Sequence, residues 1–559
     1  MDILQMVIVI AILLLLVKPV GTYLYLVFSN EPNKVDRAFG PIEKVIYTLI
    51  GVKPRTEMTW KRYLMSFIVT NLILILLGYL ILRVQKGLPW NPSDIDNMEG
   101  TLAFNTIISF MTNTNLQHYS GESGLSYFSQ MAVITMMMFT SAASGLSLAI
   151  AFIRGITTKG TTLGNFFVDF VKGHVRVFIP LAIVVTLMLV AFGVPQTLDP
   201  TVTATTIEGQ EQSIALGPVA SLESIKHLGT NGGGFFGVNS SHPFENPRPI
   251  TNVIEILSMW VLAASLPYTF GLFARNRKQG WVIFSAMMIL FIGFLTLITY
   301  AESQGNPVLN ALGMDASGGS PEGKEVRFGL AQSALFSAVT TAATTGTVNN
   351  MHDTLTPLGG LGTLGQMMLN VVFGGKGVGF MNMMMYAILA VFLAGLMVGR
   401  TPEFLGRKIE PREMKLIAIA ILAHPFIILV PTAIALMTGV GQAGITNTGF
   451  HGITQVLYEY TSSAANNGSG FEGLADNTPF WNISTGLVMI LGRYISIIML
   501  IAVAGSLMHK QWVPETIGTF RTDNKLFMGI VVGTVLLIGA LTFLPVIVLG
   551  PIAEHLTLR

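Results

Sequence analysis

The sequence has no cysteine and few charged residues, and both absences exclude classes of protein. Without cysteine among 559 residues, a disulfide framework and a thiolate metal site are both impossible. Charged residues make up 11% of the chain, whereas soluble domains carry about 25%. The net charge of +2 gives no reason to expect a nucleic acid partner. What remains is a chain that is 51% hydrophobic with a mean hydropathy of +0.62, which is typical of a membrane protein.

Nucleotide-hydrolysing motifs are absent as well. The sequence contains neither a G-x-x-x-x-G-K-[ST] loop nor the Asp-Lys-Thr-Gly phosphorylation motif of P-type ATPases. The longest charged linker, about 29–62, is too short for a nucleotide-binding domain. No nucleophile–base pair stands out either. We therefore expect no ATP site and no catalytic residue in this chain.

Apolar runs long enough to cross a bilayer recur along the whole sequence. About 20 apolar residues span the hydrocarbon, so the lipid bilayer is the expected surroundings of these runs. The first run follows an acid instead of a basic region, which indicates a retained span and not a signal peptide. We predict spans at about 3–28, 63–83, 130–153, 177–194, 252–273, 281–300, 380–399, 416–438, 483–506 and 526–549.

Positive charge is distributed unevenly among the linkers. Of the 32 Lys and Arg residues, 22 lie in the linkers that follow the odd-numbered spans. Linkers rich in Lys and Arg stay in the cytoplasm. The distribution therefore predicts that both termini lie outside the cytoplasm.

Four short polar stretches fall in the outward linkers. The stretch 229–237 reads Gly-Thr-Asn-Gly-Gly-Gly-Phe-Phe-Gly, and similar stretches occupy 112–117, 344–348 and 466–470. We call these polar segments 1 to 4 in chain order. Markers at Asn113, Gly232, Gly346 and Gly468 are spaced by 119, 114 and 122 residues, which indicates four copies of one unit. Glycine serves where backbone takes positive φ or approaches another group closely, and we expect both at Gly232.

An apolar or amphipathic stretch of about ten residues precedes each polar segment, at 101–110, 219–228, 331–342 and 454–465. Ten helical residues rise about 15 Å, half the hydrocarbon thickness, so each stretch must enter the membrane and return. Irregular backbone at that depth must be buried in protein or line an aqueous cavity. Each helix would direct its partly negative C-terminal end at a polar segment, which favours a cation there. A ring of backbone carbonyls could then replace the hydration shell of that cation.

These patterns predict an all-α polytopic membrane protein with about ten transmembrane helices. Four pseudo-symmetric units, each a span, a pore helix, a polar segment and a second span, would surround a central pore. We place the units at 60–153, 172–273, 281–400 and 415–507. One extra span would lie at each end, in 1–30 and 525–559.

Motifs in all four units resemble the A subunit of the Kdp-type ATP-driven potassium importer, which is related to a superfamily of potassium transporters with the same repeats. The motifs are TNTNLQHYSGE (112–122), TNGGG (230–234), NNMHDTLTPLGG (349–360), GRTPEFLG (399–406) and NNGSGF (466–471). The resemblance implies a channel-like subunit that selects K⁺ at its outer face. It also implies an intramembrane tunnel that delivers K⁺ to a separate P-type ATPase subunit.

The resemblance also implies which residues act on the ion. Those around K⁺ would be Asn113, Thr230, Asn231, Gly232, Thr345, Gly346, Asn466, Asn467 and Gly468. Gln117, the last residue of the first segment, would support the ion path without contacting the ion. Gly374 and Gly377 belong to a break in the third unit to which the family assigns gating. The partners would be the ATPase subunit and smaller accessory membrane subunits, in the inner membrane of a bacterium.

Other charged residues need separate interpretation. Arg493 lies inside the ninth predicted span, and ionisable residues at that depth usually face an aqueous path or a partner. Acids follow each polar segment and could concentrate cations at the mouth, namely Glu122, Glu245, Asp353 and Glu472. His118, His242 and His352 lie near the polar segments, but nothing in the sequence sets a tetrahedral ligand group. The competing function is a stand-alone potassium channel or an ion-coupled potassium carrier.

Overall fold

The computed structural model describes residues 2–29, 31–199, 201–313, 318–397, 399–514 and 519–558. Within these ranges, ten helices are long and apolar enough to cross a membrane, as the sequence predicts. We call them spans 1 to 10. They are Ile3–Phe28, Trp60–Arg83, Tyr127–Thr157, Phe166–Ala191, Pro249–Phe273, Arg277–Leu309, Val378–Met397, Pro411–Met437, Pro479–Met508 and Lys525–Thr557.

Span 4 begins at Phe166, well before the predicted start near residue 177. Its first turns carry charged side chains that hydropathy counts against a span, and the structure pairs them. Asp169 accepts from Arg154 at 2.7 Å, and Arg176 forms an ion pair with Glu43. Because buried charges are tolerated when they are paired, the helix extends through this stretch.

Four shorter helices precede the polar segments, and their existence confirms the prediction of half-length helices. They are Gly100–Met111, Val219–Leu228, Gly329–Ala342 and Gly449–Ala465, which we call pore helices 1 to 4. With 12, 10, 14 and 17 residues, they rise about 15–26 Å, less than the hydrocarbon thickness of about 30 Å. Most of their side chains are buried, so these helices lie inside the bundle.

The helix that follows polar segment 3 is broken, as the glycines at 374–379 predict. It runs from Pro357 to Leu369 and ends at Asn370, which has a left-handed φ of +49°. Span 7 then begins at Val378. We call residues 370–377 the break.

Burial separates inner from outer spans. In the most apolar part of spans 3, 5 and 7, 89%, 78% and 67% of residues are buried inside the protein, against 22% in spans 1 and 2. Spans 3, 5 and 7 each follow a polar segment in the chain and are the most buried; span 9, which follows polar segment 4, is 44% buried. Span 1 packs on the outside of span 5, where Gly21 lies against Tyr268 and Ser265.

Both chain ends lie on the side that carries the polar segments. Gln5 accepts a hydrogen bond from Gln332 of pore helix 3 at 2.8 Å. Glu554 accepts from His451 of pore helix 4 at 2.7 Å. An even number of spans places the two ends on one side of the bundle, in agreement with these contacts.

The remaining elements are small. Two hairpins pair Val202–Thr205 with Glu211–Ile214 and Glu403–Phe404 with Arg407–Lys408. Short helices outside the spans are Lys34–Leu49, Gln85–Gly87, Gly121–Gly124, Asn239–Ser241 and Gly439–Gln442. Spans 3, 4 and 10 each contain a π-helical stretch, at Gln130–Thr135, Gly173–Phe178 and Val548–Ile552.

Candidate ion-binding site

All four pore helices end with the same backbone geometry. At each end, one N–H donates to the carbonyl five residues earlier, as in a Schellman closure. These donors are Thr114, Asn231, Thr345 and Asn467, at 2.9, 2.8, 2.8 and 2.9 Å. The residue before each donor has a left-handed φ, +64° at Asn113, +49° at Thr230, +45° at Thr344 and +55° at Asn466. The four polar segments therefore leave their helices in the same register.

The backbone of the four segments converges beside Gly232. A Cβ atom added to Gly232 would lie 2.8 Å from the carbonyl oxygen of Thr345, 3.0 Å from that of Thr114 and 3.1 Å from that of Asn467. Thr114, Thr345 and Asn467 are the residues whose N–H groups close pore helices 1, 3 and 4, so they are equivalent to Asn231 of segment 2. One point thus has oxygen atoms from three different segments around it.

Close approach, and not backbone conformation, is what requires glycine at position 232. Gly232 does not have a left-handed φ, so the expected positive φ at this position is wrong. Its neighbour Gly233 has a left-handed φ of +66°. Gly346 and Gly468 combine both requirements, with φ of +90° and +105°. A Cβ on either would collide with the carbonyl oxygen of Asn467 or of Thr114, respectively.

The convergent carbonyls have an arrangement that would suit a desolvated cation. Carbonyl oxygens carry partial negative charge, so oxygens aimed at one point repel each other unless a cation lies among them. The pore helices also direct their C-terminal, partly negative ends at this region. A ring of this kind replaces the water shell of an alkali cation.

The asparagine side chains of the segments hold the backbone. Asn113 Nδ2 donates to the carbonyl of Thr230 at 2.6 Å, joining segments 1 and 2. Asn467 Nδ2 donates to the carbonyl of Thr340 at 3.0 Å, which joins segment 4 to pore helix 3. Asn466 Nδ2 donates to Thr114 Oγ1 at 2.9 Å. The segments thus brace one another without using the carbonyls of Thr114, Thr345 and Asn467, which lie beside Gly232.

Asn231 and Thr230 are also fixed from outside the ring. Asn231 Nδ2 donates to the Met138 carbonyl in span 3 at 3.3 Å. Thr230 Oγ1 accepts from the backbone N–H of Lys376 in the break at 2.9 Å. All nine residues predicted around the ion therefore lie in the four converging segments.

Sequence reasoning missed three residues of the ring. Thr114, Asn115 and Thr344 are the register equivalents of Asn231, Gly232 and Thr230. Asn115 also has a left-handed φ, +60°, and its carbonyl lies opposite Gly233. Counting residues from the C-terminal end of each pore helix would have identified them, because the helix closure, and not the residue type, determines which residues are equivalent.

The side chain of Gln117 links segments 1 and 2 through two hydrogen bonds. Its Oε1 accepts from the backbone N–H of Gly234 at 2.8 Å, and its Nε2 donates to the Gly234 carbonyl at 3.2 Å. Both backbone groups of one residue are therefore satisfied by one amide side chain. This contact fixes the outer end of segment 2.

Replacing Gln117 with leucine is expected to weaken K⁺ binding roughly tenfold. The change leaves two backbone groups of Gly234 without their partner, at a cost of about 1–3 kcal/mol each, and only part of that cost needs to reach the ring, because tenfold is about 1.4 kcal/mol. Equilibrium binding of K⁺ to the purified chain measures the effect. Gln212→Leu, on the exposed outward hairpin, is the matched control. Equal affinities for the two variants would contradict this role of Gln117.

The break lies directly beneath segments 2 and 3. The N–H of Gly374 donates to the carbonyl of Ala342, at the end of pore helix 3, at 2.9 Å. Gly374 and Gly377 have φ of +58° and +89°. A Cβ on Gly377 would come within 2.5 Å of the Gly145 carbonyl in span 3. Glycine at these two positions is therefore needed for the break to fit between the polar segments and the inner spans.

Arg493 reaches the same place from span 9. It is 4% exposed, and its Nη2 would lie 3.1 Å from a Cβ added to Gly145. The carbonyl oxygen of Lys376 would also contact a Cβ atom added to Gly145. The guanidinium thus lies beside the break, below the converging carbonyls.

The acids that could concentrate cations at the mouth hold loops in place. Glu245 is fully buried and binds the Lys226 ammonium at 2.7 Å. Glu122 and Glu472 accept hydrogen bonds from backbone N–H groups. Asp353 binds a histidine ring nitrogen at 3.0 Å. Burial raises the pKa of Glu472 to about 7.

An outward cavity of about 280 Å³ lies over the polar segments. Residues of all four segments and of the loops that follow them line it, including Gln117, Gly233, Gly346, Gly468 and Glu472. The carbonyl ring is therefore reached from the side that carries both termini.

A family model described as the potassium-transporting ATPase A subunit (KdpA) matches residues 7–556. The chain belongs to this family. The resemblance inferred from the motifs in all four units is confirmed, and the match extends over nearly the whole chain.

One relative and one solved structure show how far the similarity extends. The potassium-transporting ATPase potassium-binding subunit of Geobacillus kaustophilus (strain HTA426) is 63% identical over 555 residues, 99% of each protein. The crystal structure of the potassium transporter TrkH from Vibrio parahaemolyticus matches with a TM-score of 0.51 and 14% identity. It covers 88% of this chain and 97% of that one. At that identity the second likeness concerns the fold alone.

Proposed function

We propose that this chain is the potassium-binding subunit of an ATP-driven potassium uptake complex. The observation that carries the proposal is the point beside Gly232, where carbonyl oxygens of Thr114, Thr345 and Asn467 lie within 2.8–3.1 Å. Family membership and the printed name of the 63% identical relative support K⁺ as the ion.

In the proposed path, K⁺ enters the outward cavity and loses its water to the carbonyl ring. It binds among the backbone of Asn113, Thr230, Asn231, Gly232, Thr345, Gly346, Asn466, Asn467 and Gly468. Below the ring it meets the break, where Gly374 and Gly377 would gate the onward path and Arg493 would act on it. The hydrogen bond from Lys376 N–H to Thr230 Oγ1 couples this gate to the ring.

A small inner cavity supports a route beyond the break. It has a volume of about 40 Å³ and is lined partly by the polar side chains of Asn370, Asn382 and Ser496. Ser496 Oγ donates to Asn382 Oδ1 at 2.7 Å. We propose that K⁺ continues from here through an intramembrane tunnel to a partner.

The partner would be a P-type ATPase catalytic subunit, together with smaller accessory membrane subunits. Hydrolysis would take place on that partner, since this sequence has neither ATPase motif. The complex would lie in the inner membrane of a bacterium. This chain would contribute the selective binding site and no catalytic residue.

The unit boundaries are also part of the proposal. Units at 60–153, 172–273, 281–400 and 415–507 would each contribute one pore helix and one polar segment, with extra spans in 1–30 and 525–559. The identical closure of the four pore helices supports this division.

Co-purification in mild detergent tests the proposal. A P-type ATPase subunit recovered in stoichiometric amount with this chain is the expected result. K⁺ transport by the chain alone, without ATP or a partner, would replace the proposal with a stand-alone channel or an ion-coupled carrier.

The orientation has its own test. A reporter fused after Arg559 is expected to be active only outside the cytoplasm, because 22 of the 32 Lys and Arg lie in the linkers that follow odd-numbered spans. The same reporter inserted after Arg275, in the basic linker between spans 5 and 6, is the control and should show cytoplasmic activity. Cytoplasmic activity of the C-terminal fusion would contradict the proposed topology.

A further inference from the structure

Three side chains with metal-ligating atoms meet beside the outward cavity. His118 Nε2 lies 3.4 Å from Glu459 Oε1 and 3.8 Å from Asp476 Oδ2. All three residues line the cavity. The side chains of His118 and Glu459 are 0% and 2% exposed, whereas that of Asp476 is 24% exposed and gives access from outside.

The other nitrogen of His118 is held by an amide. Nδ1 lies 2.7 Å from Asn482 Oδ1. Asn482 Nδ2 donates in turn to Thr101 Oγ1 at 3.2 Å and to Asn477 Oδ1 at 3.3 Å, so its oxygen faces the ring. Nδ1 must therefore donate, and Nε2 is the ring nitrogen that faces the two carboxylates. An outer hydrogen bond of this kind orients histidines that ligate metals.

A cation belongs where one imidazole lone pair and two carboxylates face each other, since all three groups are electron-rich. A proton on Nε2 would satisfy them as an ion pair. The spacing also fits a metal. Zn²⁺ binds His nitrogen and Asp or Glu oxygen at 2.0–2.2 Å, which places tetrahedral ligands about 3.3–3.6 Å apart. The observed separations from Nε2, 3.4 and 3.8 Å, are close to that range.

His451 provides a contrast within the same chain, because it also lies between two acids. Its Nε2 binds Asp353 at 3.0 Å and its Nδ1 binds Glu554 at 2.7 Å. Each ring nitrogen thus has its own carboxylate, which suits an imidazolium that donates twice and leaves no nitrogen for a metal. The arrangement at His118 is different because one nitrogen faces both acids.

We propose that His118, Glu459 and Asp476 form a binding site for a divalent metal ion of the Zn²⁺ class, with a fourth position open to the outward cavity. Three protein ligands and one open position are the donor set of exchangeable zinc sites. The mixture of imidazole and carboxylate distinguishes this site from the carbonyl ring, which suits an alkali cation. A metal ion bound here would lie beside the entrance to the converging segments.

Titration with Co²⁺, whose tetrahedral complexes absorb strongly in visible light, tests the site without requiring transport. The full-length chain, purified in detergent without a polyhistidine tag, is expected to bind one Co²⁺ that Zn²⁺ displaces. His118→Asn should abolish the absorption. Asn482→Leu, which removes the outer hydrogen bond to His118 and leaves all three ligands in place, should weaken binding by roughly 10–100-fold. His451→Asn is the matched control and should bind Co²⁺ as the original chain does.

Absence of Co²⁺ absorption in the folded chain would overturn the proposal and leave the three residues as a protonated ion pair. Absorption that persists in His118→Asn would place the metal elsewhere and overturn it too. If His118→Asn does not fold, Asp476→Asn decides, because this partly exposed side chain can be changed with little loss of packing. Unchanged Co²⁺ affinity in Asp476→Asn would then overturn the site.

Discussion

Replacing Gly232 with aspartate is expected to lower the apparent K⁺ affinity by tenfold or more and to let rubidium, sodium or ammonium gain relative to K⁺. The Cβ alone would lie 2.8–3.1 Å from three carbonyl oxygens, so those carbonyls must move. Displaced carbonyls no longer fit K⁺, so the larger ions rubidium and ammonium gain relative to it. The added carboxylate also supplies a compact oxygen ligand of stronger field, which favours sodium, a smaller and harder ion, over K⁺. A tenfold loss requires only about 1.4 kcal/mol.

Ion-competition measurements on the assembled complex give the affinity and the selectivity together. Gly100→Asp is the matched control, because a Cβ on Gly100 meets only the Tyr79 hydroxyl at 3.7 Å. Gly237 is less suitable, since a Cβ there would collide with the Ser120 hydroxyl. Equal effects at Gly232 and Gly100 would indicate general damage. Unaltered selectivity in a folded Gly232→Asp variant would remove segment 2 from the ring.

Replacing Arg493 with methionine is expected to reduce K⁺ uptake tenfold or more while equilibrium K⁺ binding changes less than threefold. Arg493 lies at the break beside Gly145 and the Lys376 carbonyl, below the ring and not in it. Buried ionisable residues of membrane proteins act on ion paths more often than on packing. Methionine keeps much of the length and removes the charge.

Uptake and binding must be measured on the same preparation for this variant. Arg277→Met, at an exposed position at the start of span 6, is the control and should change neither quantity. Uptake by Arg493→Met at the original rate would reduce Arg493 to a structural residue. An equal loss of K⁺ binding would contradict this account, because it would mean that Arg493 affects the carbonyl ring and not the onward path.

The spans and pore helices could be predicted from the sequence because bilayer thickness sets their length. A run of about 20 apolar residues indicates a transmembrane helix, and a run of about ten before a polar segment indicates a helix that enters the membrane without crossing it. The predicted start of span 4 was wrong because Asp169 is neutralised by Arg154 of span 3, and Arg176 by Glu43, which lies 133 residues earlier in the sequence. Hydropathy cannot account for such pairs.

The ring could be predicted only in part. Glycine and asparagine marked segments 2 to 4, but the register that adds Thr114, Asn115 and Thr344 depends on how each helix closes. The outward acids illustrate the same limit, because Glu245 binds a lysine of pore helix 2 that its own neighbours do not reveal. His118 meets its two acids only through the fold, more than 340 residues away in the sequence.

Anomalous scattering from Rb⁺ in crystals of the chain or its complex tests the central claim most directly. Rb⁺ should replace K⁺ in a site built from backbone carbonyls, because such a site selects by the size and field of its oxygens. The account predicts a peak among the carbonyl oxygens of Thr114, Thr345 and Asn467 beside Gly232. A peak confined to the outward cavity, or lying at the side chains of Asn113 and Asn466 away from those carbonyls, would contradict it.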